Sequence, residues 1–248
     1  MKRSIAILLL LVVFVFSLHA APRGGIGGRR GYGGIGDPLS TTPQSDYWAV
    51  WRGFKISTDS LLKTIGATNS EAASLLTQTQ TNVLFLETKW NAWFKLHNQP
   101  GQYSSADDYL TSLRADSRLL GNLKKEKDSQ QALATLRDVA LDVQIKADNC
   151  RNSKDGLGKQ IGVKVHTKAG DKEVGGYEVF YVSKGMFDVK SAHDRFPRHS
   201  SPTDERILCP GGYAMWVRRQ KFTSEPVTMR IGGHGETQLE VDLAVPPE

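Results

Sequence analysis

ERILCPGGYAMWVRR, residues 205–219, decides how this chain is read. Arg206 to Cys209 reads as one strand, Pro210-Gly211-Gly212 as a tight turn, and Tyr213 to Arg218 as a second strand. Proline presets φ for a turn and glycine accepts positive φ, so the triplet reverses the chain with little steric strain. Tyr213, Met215 and Val217 alternate with Ala214, Trp216 and Arg218, the period of a strand whose two faces are used differently.

Similar runs lie on both sides. Ile161, Val163 and Val165 alternate with Gly162, Lys164 and His166, and 168–171 is a turn. Residues 176–183 are apolar on both faces, as in a covered sheet. Val227, Met229 and Ile231 alternate again, residues 232–235 turn the chain, and Leu239, Val241, Leu243 and Val245 close it. Six short strands separated by turn signals predict a sandwich. Trp216 faces away from Tyr213, Met215 and Val217, and is expected to pack against whatever precedes the sandwich. His166 reads as plain surface.

Upstream of residue 151 the period changes to that of helices. Tyr47, Trp51 and Phe54 share one face of a short helix over 46–56, capped by Ser45 or Asp46. Residues 70–97 predict a long helix with Asn69 or Ser70 as cap and Ala72, Leu76, Val83, Leu86, Trp90, Trp93 and Phe94 as its apolar side. A helix from Ser105 carries Leu110, Leu113, Leu120 and Leu123. After the charged run 124–128 another carries Leu133, Leu136, Ala140, Val143 and Ala147. Asp128 with Gln131 resembles a capping box, although one helix running through 124–128 is a competing reading. Stripes joined by short connections imply antiparallel packing. The fold class is therefore α+β: an N-terminal antiparallel helical bundle, 46–152, followed by a C-terminal antiparallel β-sandwich, 158–248, of Ig-like or transthyretin-like type.

Met1-Lys2-Arg3, the apolar run 5–16 and Leu18-His19-Ala20 read as a secretory signal peptide over 1–20. The run is shorter than the roughly 20 residues a spanning helix needs, so no stable membrane insertion is expected after cleavage. Residues 21–45 begin APRGGIGGRRGYGGIGD and predict a flexible tether that cannot bury enough apolar surface to offset its ordering entropy. Net charge is +6, of which Lys2 and Arg3 belong to the leader, and the rest is spread evenly. No stripe of basic side chains stands out, so nucleic acid is not an expected partner. The chain has two cysteines, Cys150 and Cys209. In an oxidising compartment they are expected to form a disulfide stapling the two halves, worth about 4 kcal/mol in the chain-entropy picture.

Three features of the second half resemble the transthyretin-like, carboxypeptidase-regulatory (CNA-B-type) sandwich modules of exported proteins. They are the entry strand with its Lys168-Ala169-Gly170-Asp171 turn, the Gly176-Tyr177-Glu178-Val179 strand, and Leu208-Cys209-Pro210-Gly211-Gly212-Tyr213. The resemblance spans about 160–246. It implies a rigid spacer, a stabilising appendage or a binding unit, with no catalysis of its own.

The polar stretch 184–204, KGMFDVKSAHDRFPRHSSPTD, carries His193, Asp194, Arg195, Arg198, His199, Ser200 and Ser201. Long loops on small domains are often functional. A solvated loop without a ligand is the leading reading, and among functional ones recognition of an anionic ligand by Arg195, Arg198, His193 and His199 is favoured. A hydrolase lacks a nucleophile elbow, and zinc held by His193, His199 and His234 lacks closely spaced ligands. No catalytic residue, metal site or cofactor is therefore expected. Trp48 and Trp51 are the candidate anchors on the helical half, of the residue type that dominates hot spots. The expected protein is a non-enzymatic binding or scaffolding module of the periplasm, cell envelope or extracellular space, with a protein, envelope or glycan partner. The alternatives are a hydrolase or metal-dependent enzyme using the 184–204 loop, or a glycan-binding module.

Overall fold

Two side chains set where the long helices begin. Asn69 Oδ1 accepts the Ala72 N–H at 3.0 Å, and Asp128 Oδ1 accepts the N–H groups of Gln130 and Gln131 at 2.8 and 3.2 Å. Each satisfies donors that a helix leaves without an intrahelical partner. The computed structural model describes residues 44–96, 104–153, 160–232 and 237–246, apart from the side chains of 44–47, 94–96 and 104–108. The expected leader, the glycine-rich segment up to residue 43, residues 154–159 and His234 lie outside the described residues.

The helices are α1 (Gln44–Lys63), the single turn α2 (Ile65–Thr68), α3 (Ser70–Leu96), α4 (Ser104–Leu123) and α5 (Ser129–Arg151). The charged run breaks the chain between α4 and α5. Glu126 Oε1 accepts the N–H groups of Lys127 and Asp128 at 2.9 and 3.0 Å, so a glutamate ahead of the cap completes the turn. One continuous helix is excluded. Helix α1 outruns the predicted 46–56 at both ends. Beyond Ile56, the polar Ser57 and Thr58 are themselves buried and Leu61 joins the core, with the Thr58 hydroxyl donating back to Phe54 O at 2.9 Å. Helix α1 packs on α3 and α4, and α5 packs on the same two, so the long helices enclose one core. Every apolar position of the predicted stripes whose side chain is described lies in or against that core.

The sandwich has two sheets. In one, β1 (Ile161–Ala169) is flanked on one side by β9 (Gln238–Ala244) and on the other by β2 (Lys172–Glu173) and β5 (Arg206–Leu208), which take opposite ends of it. Between them Ser201 and Thr203 serve its middle: their hydroxyls accept the N–H groups of Thr167 and Val165 at 3.0 and 2.9 Å. The other sheet runs β4 (Asp194–Arg195), β3 (Glu178–Ser183), β6 (Gly211–Arg219), with β7 (Phe222–Thr223) and β8 (Val227–Ile231) both on the far side of β6. Val163, Val165, Val179, Met215, Val217 and Ile231 meet between the two sheets. Antiparallel ladders dominate. The pairing of β1 with β9 is parallel, because the first and last strands of the half enter the same sheet side by side in the same direction.

Pro210-Gly211-Gly212 does not close a hairpin. β5 belongs to one sheet and β6 to the other, so the triplet carries the chain across the sandwich. Its glycines answer to the helices. A Cβ on Gly212 would lie 2.6 Å from Asp142 Oδ2, and one on Gly211 would lie 2.9 Å from Ser112 Oγ and 3.0 Å from Lys146 Nζ. Gly211 also has φ +149°, which side chains rarely adopt.

Candidate functional site

Residues 142–146 of α5 bring charge into the seam between helices and sandwich. Lys146 is fully buried and donates to Asp116 of α4 at 2.5 Å. Asp142, 3% exposed, accepts the Gly212 N–H at 2.9 Å and Arg230 Nε at 2.7 Å. Asp138 pairs with Lys184, and Arg118 of α4 clasps Asp188 with both guanidinium nitrogens at 2.6 and 2.7 Å. Burial pushes the Asp116 carboxyl up to about 7, against the opposing pull of Lys146. Buried pairs of this kind add little net stability, since desolvation offsets their attraction, but leaving one partner alone is expensive. The seam is thus a fixed joint between the halves.

The loop 184–204 is ordered by what it covers. Its backbone turns twice in 3₁₀ form, pairs with β3 through β4, and buries Phe196 in the sandwich core. The predicted residues are dispersed along it. His193 Nε2 lies 2.7 Å from Phe187 O, and its ring sits 4.8 Å from that of Trp216. Arg195 bonds Glu178 at 2.8 Å, His199 lies 3.9 Å from the same carboxylate, and Arg198 pairs with Asp204 at 3.0 Å. Arg218 also holds Glu178, at 2.7 Å, and its hydrogen bond keeps that carboxyl below its usual range. Ser201 is committed to the Thr167 backbone. Among the described residues no group of three or more His, Cys, Asp or Glu side chains is placed to hold a metal ion.

Trp216 is not under the helices as expected. It is half-buried, stacked on Phe180 across the β3–β6 ladder with centroids 5.6 Å apart and planes at 12°, and faced by the edges of Phe187 and His193. On the same face Gly212 meets the helices instead, because only a glycine admits the Asp142 carboxylate. His166 is not plain surface: it is 14% exposed, with Nδ1 at 2.7 Å from Glu173 and Nε2 at 3.5 Å from Glu240.

Cys150 and Cys209 both belong to the buried core cluster of the helical half. No disulfide joins them, and burial pushes the Cys150 thiol up to about 11.

Trp48 and Trp51 are brought together with partners the sequence did not single out. α1 and α3 enclose a groove of about 430 Å³ lined by Trp48, Trp51, Phe54, Val83 and Leu84. Trp51 and Phe54 form its buried floor, while Trp48 and Leu84 are 46% and 63% exposed at its mouth. Arg52, Lys55, Asp59 and Glu87 rim it, and Gln80 fixes Asp59 through a 2.7 Å bond. The signal for Leu84 was its apolar side chain outside the stripe of its own helix.

No protein-family model matches the chain, and no curated protein matches it. Among solved structures, the crystal structure of (S)-allantoin synthase is similar at 10% identity over 67% of each chain with a TM-score of 0.25, a likeness too slight to carry an argument.

Proposed function

We propose that this chain is an exported, non-enzymatic binding or scaffolding protein that grips a protein partner in the groove between α1 and α3. The observation that carries the reading is the pairing of an exposed Trp48 and Leu84 with a buried apolar floor, in a groove of about 430 Å³. Isolated exposed apolar residues are ordinary, but an aromatic anchor beside a preformed apolar recess is the arrangement of an interaction hot spot. Mixed charges on the rim supply orientation more than affinity. The leader-like residues 1–20 support export, and the two-sheet architecture is in keeping with a transthyretin-like spacer or binding unit. A Cys150–Cys209 bond remains part of the proposal, supported by their shared core cluster. The loop gives a hydrolase no support: its Ser201 hydroxyl serves β1, and His193 and His199 face different partners.

The test is capture from an envelope or culture extract by the mature chain against Trp48→Ala and Leu84→Glu, each first shown to unfold at the parent temperature. Retention of one protein by the parent and its loss by both variants supports the reading. Equal retention by all three removes the groove from it.

A further inference from the structure

The outer face of the sheet built on β3 and β6 offers a second surface. Phe180 and Trp216 stand opposite each other in the ladder and stack, and the next rung towards one end of the sheet is Glu178 opposite Arg218. Rungs on one face repeat every ~7 Å, the scale of one hexose ring. Phe187, 41% exposed, extends the aromatic surface past Trp216, and the Arg218 guanidinium lies 4.7 Å over Phe180.

The charge on this face is unbalanced. Glu178, only 20% exposed, is shared by Arg195 and Arg218, which are 60% and 50% exposed, with His199 also beside it. Two guanidinium groups on one carboxylate leave a net cation held in place beside an aromatic surface. A guanidinium carries five donors and one shared carboxylate leaves several of them for a ligand.

We propose that this face binds an acidic polysaccharide, with a sugar ring against Phe187, Trp216 and Phe180 and its carboxylate or sulfate group on Arg195 and Arg218. The occupant follows from charge complementarity together with the alternation of an aromatic rung and a charged rung. A neutral glycan would leave the guanidinium groups unused. This site is independent of the α1–α3 groove and lies on the other half of the chain.

The experiment is titration of the mature protein at physiological salt with polygalacturonate, dextran sulfate, neutral dextran and single-stranded oligothymidine. Three variants accompany it: Arg195→Ala with Arg218→Ala, Phe187→Ala, and as a charge control Lys124→Ala with Lys125→Ala on the exposed α4–α5 turn. One or both acidic polymers should bind, and which one identifies carboxylate or sulfate as the recognised group. Phe187→Ala should bind about tenfold more weakly, the size of one lost aromatic contact, and the arginine double variant, which loses two charged contacts, at least as much, while the lysine control keeps parent affinity. Binding to neutral dextran as tight, preference for the oligonucleotide, an equal loss in the lysine control, or no binding to either acidic polymer would each overturn the assignment. Phe187 and both arginines are exposed, so none of these variants should fail to fold.

Discussion

Gly185 shows how tightly one position can be specified without a motif. A Cβ there would lie 2.2 Å from Ala115 O, a backbone atom within α4 that cannot swing aside. Gly185→Ala should therefore destabilise the protein by about 1–3 kcal/mol or more, read as a lower urea midpoint with little change in slope. Asp116 makes a prediction in pH. Its carboxyl is raised by burial, so the folded state holds a proton that the unfolded state has already released. Its contribution to stability is thus present below its ordinary range and declines as pH rises towards 7. Measured against Asp116→Asn, the parent should lose stability between about pH 4 and 7 relative to the variant, and a flat difference would refute the sign. In the reduced protein the Cys150 thiol, raised and buried, should resist alkylation while folded and react only on unfolding.

Among the elements, the α4–α5 turn depends on local chemistry that the sequence displays openly. Asp128→Ala removes the acceptor of two N–H groups and should lower stability by about 1 kcal/mol, seen as a few degrees in thermal unfolding. The loop 184–204 behaves otherwise. Its polar composition suggested a solvated insertion, yet Phe196 is 1% exposed inside the sandwich core. Phe196→Ala should cost about 3–5 kcal/mol, as for a core aromatic, whereas a loop lying free of the core would tolerate it. What made the loop misleading is that one buried aromatic in a mostly polar stretch has no period to announce it.

For the whole molecule, the seam decides cooperativity. Lys146, Asp116 and Asp142 are buried between α4, α5 and the Gly211-Gly212 crossing, so separating the halves would expose their charges and break the Asp142 bonds to Gly212 and Arg230. Calorimetry should show a single transition for the described core, and Asp142→Ala, which leaves the Gly212 N–H without its acceptor and removes the 2.7 Å bond to Arg230, should lower it by more than the Asp128→Ala cap variant does. Two separate transitions would mean that the seam is not the joint described.

The sequence by itself determined the elements and the class. Apolar spacing of 3.6 located the long helices and spacing of 2 four of the six principal strands, because periodicity reports directly which face of each element is buried, while turn signals and a run apolar on both faces marked 206–209 and 176–183. It also marked Trp48 and Trp51, since exposed and buried aromatics share the same composition signal. Only the tertiary structure decided that Pro210-Gly211-Gly212 crosses between sheets, that β1 and β9 run parallel, and that Leu84 completes a groove with Trp48. These depend on which elements become neighbours. A glycine required by a carboxylate seventy residues away looks, in one dimension, like a glycine required by its own turn.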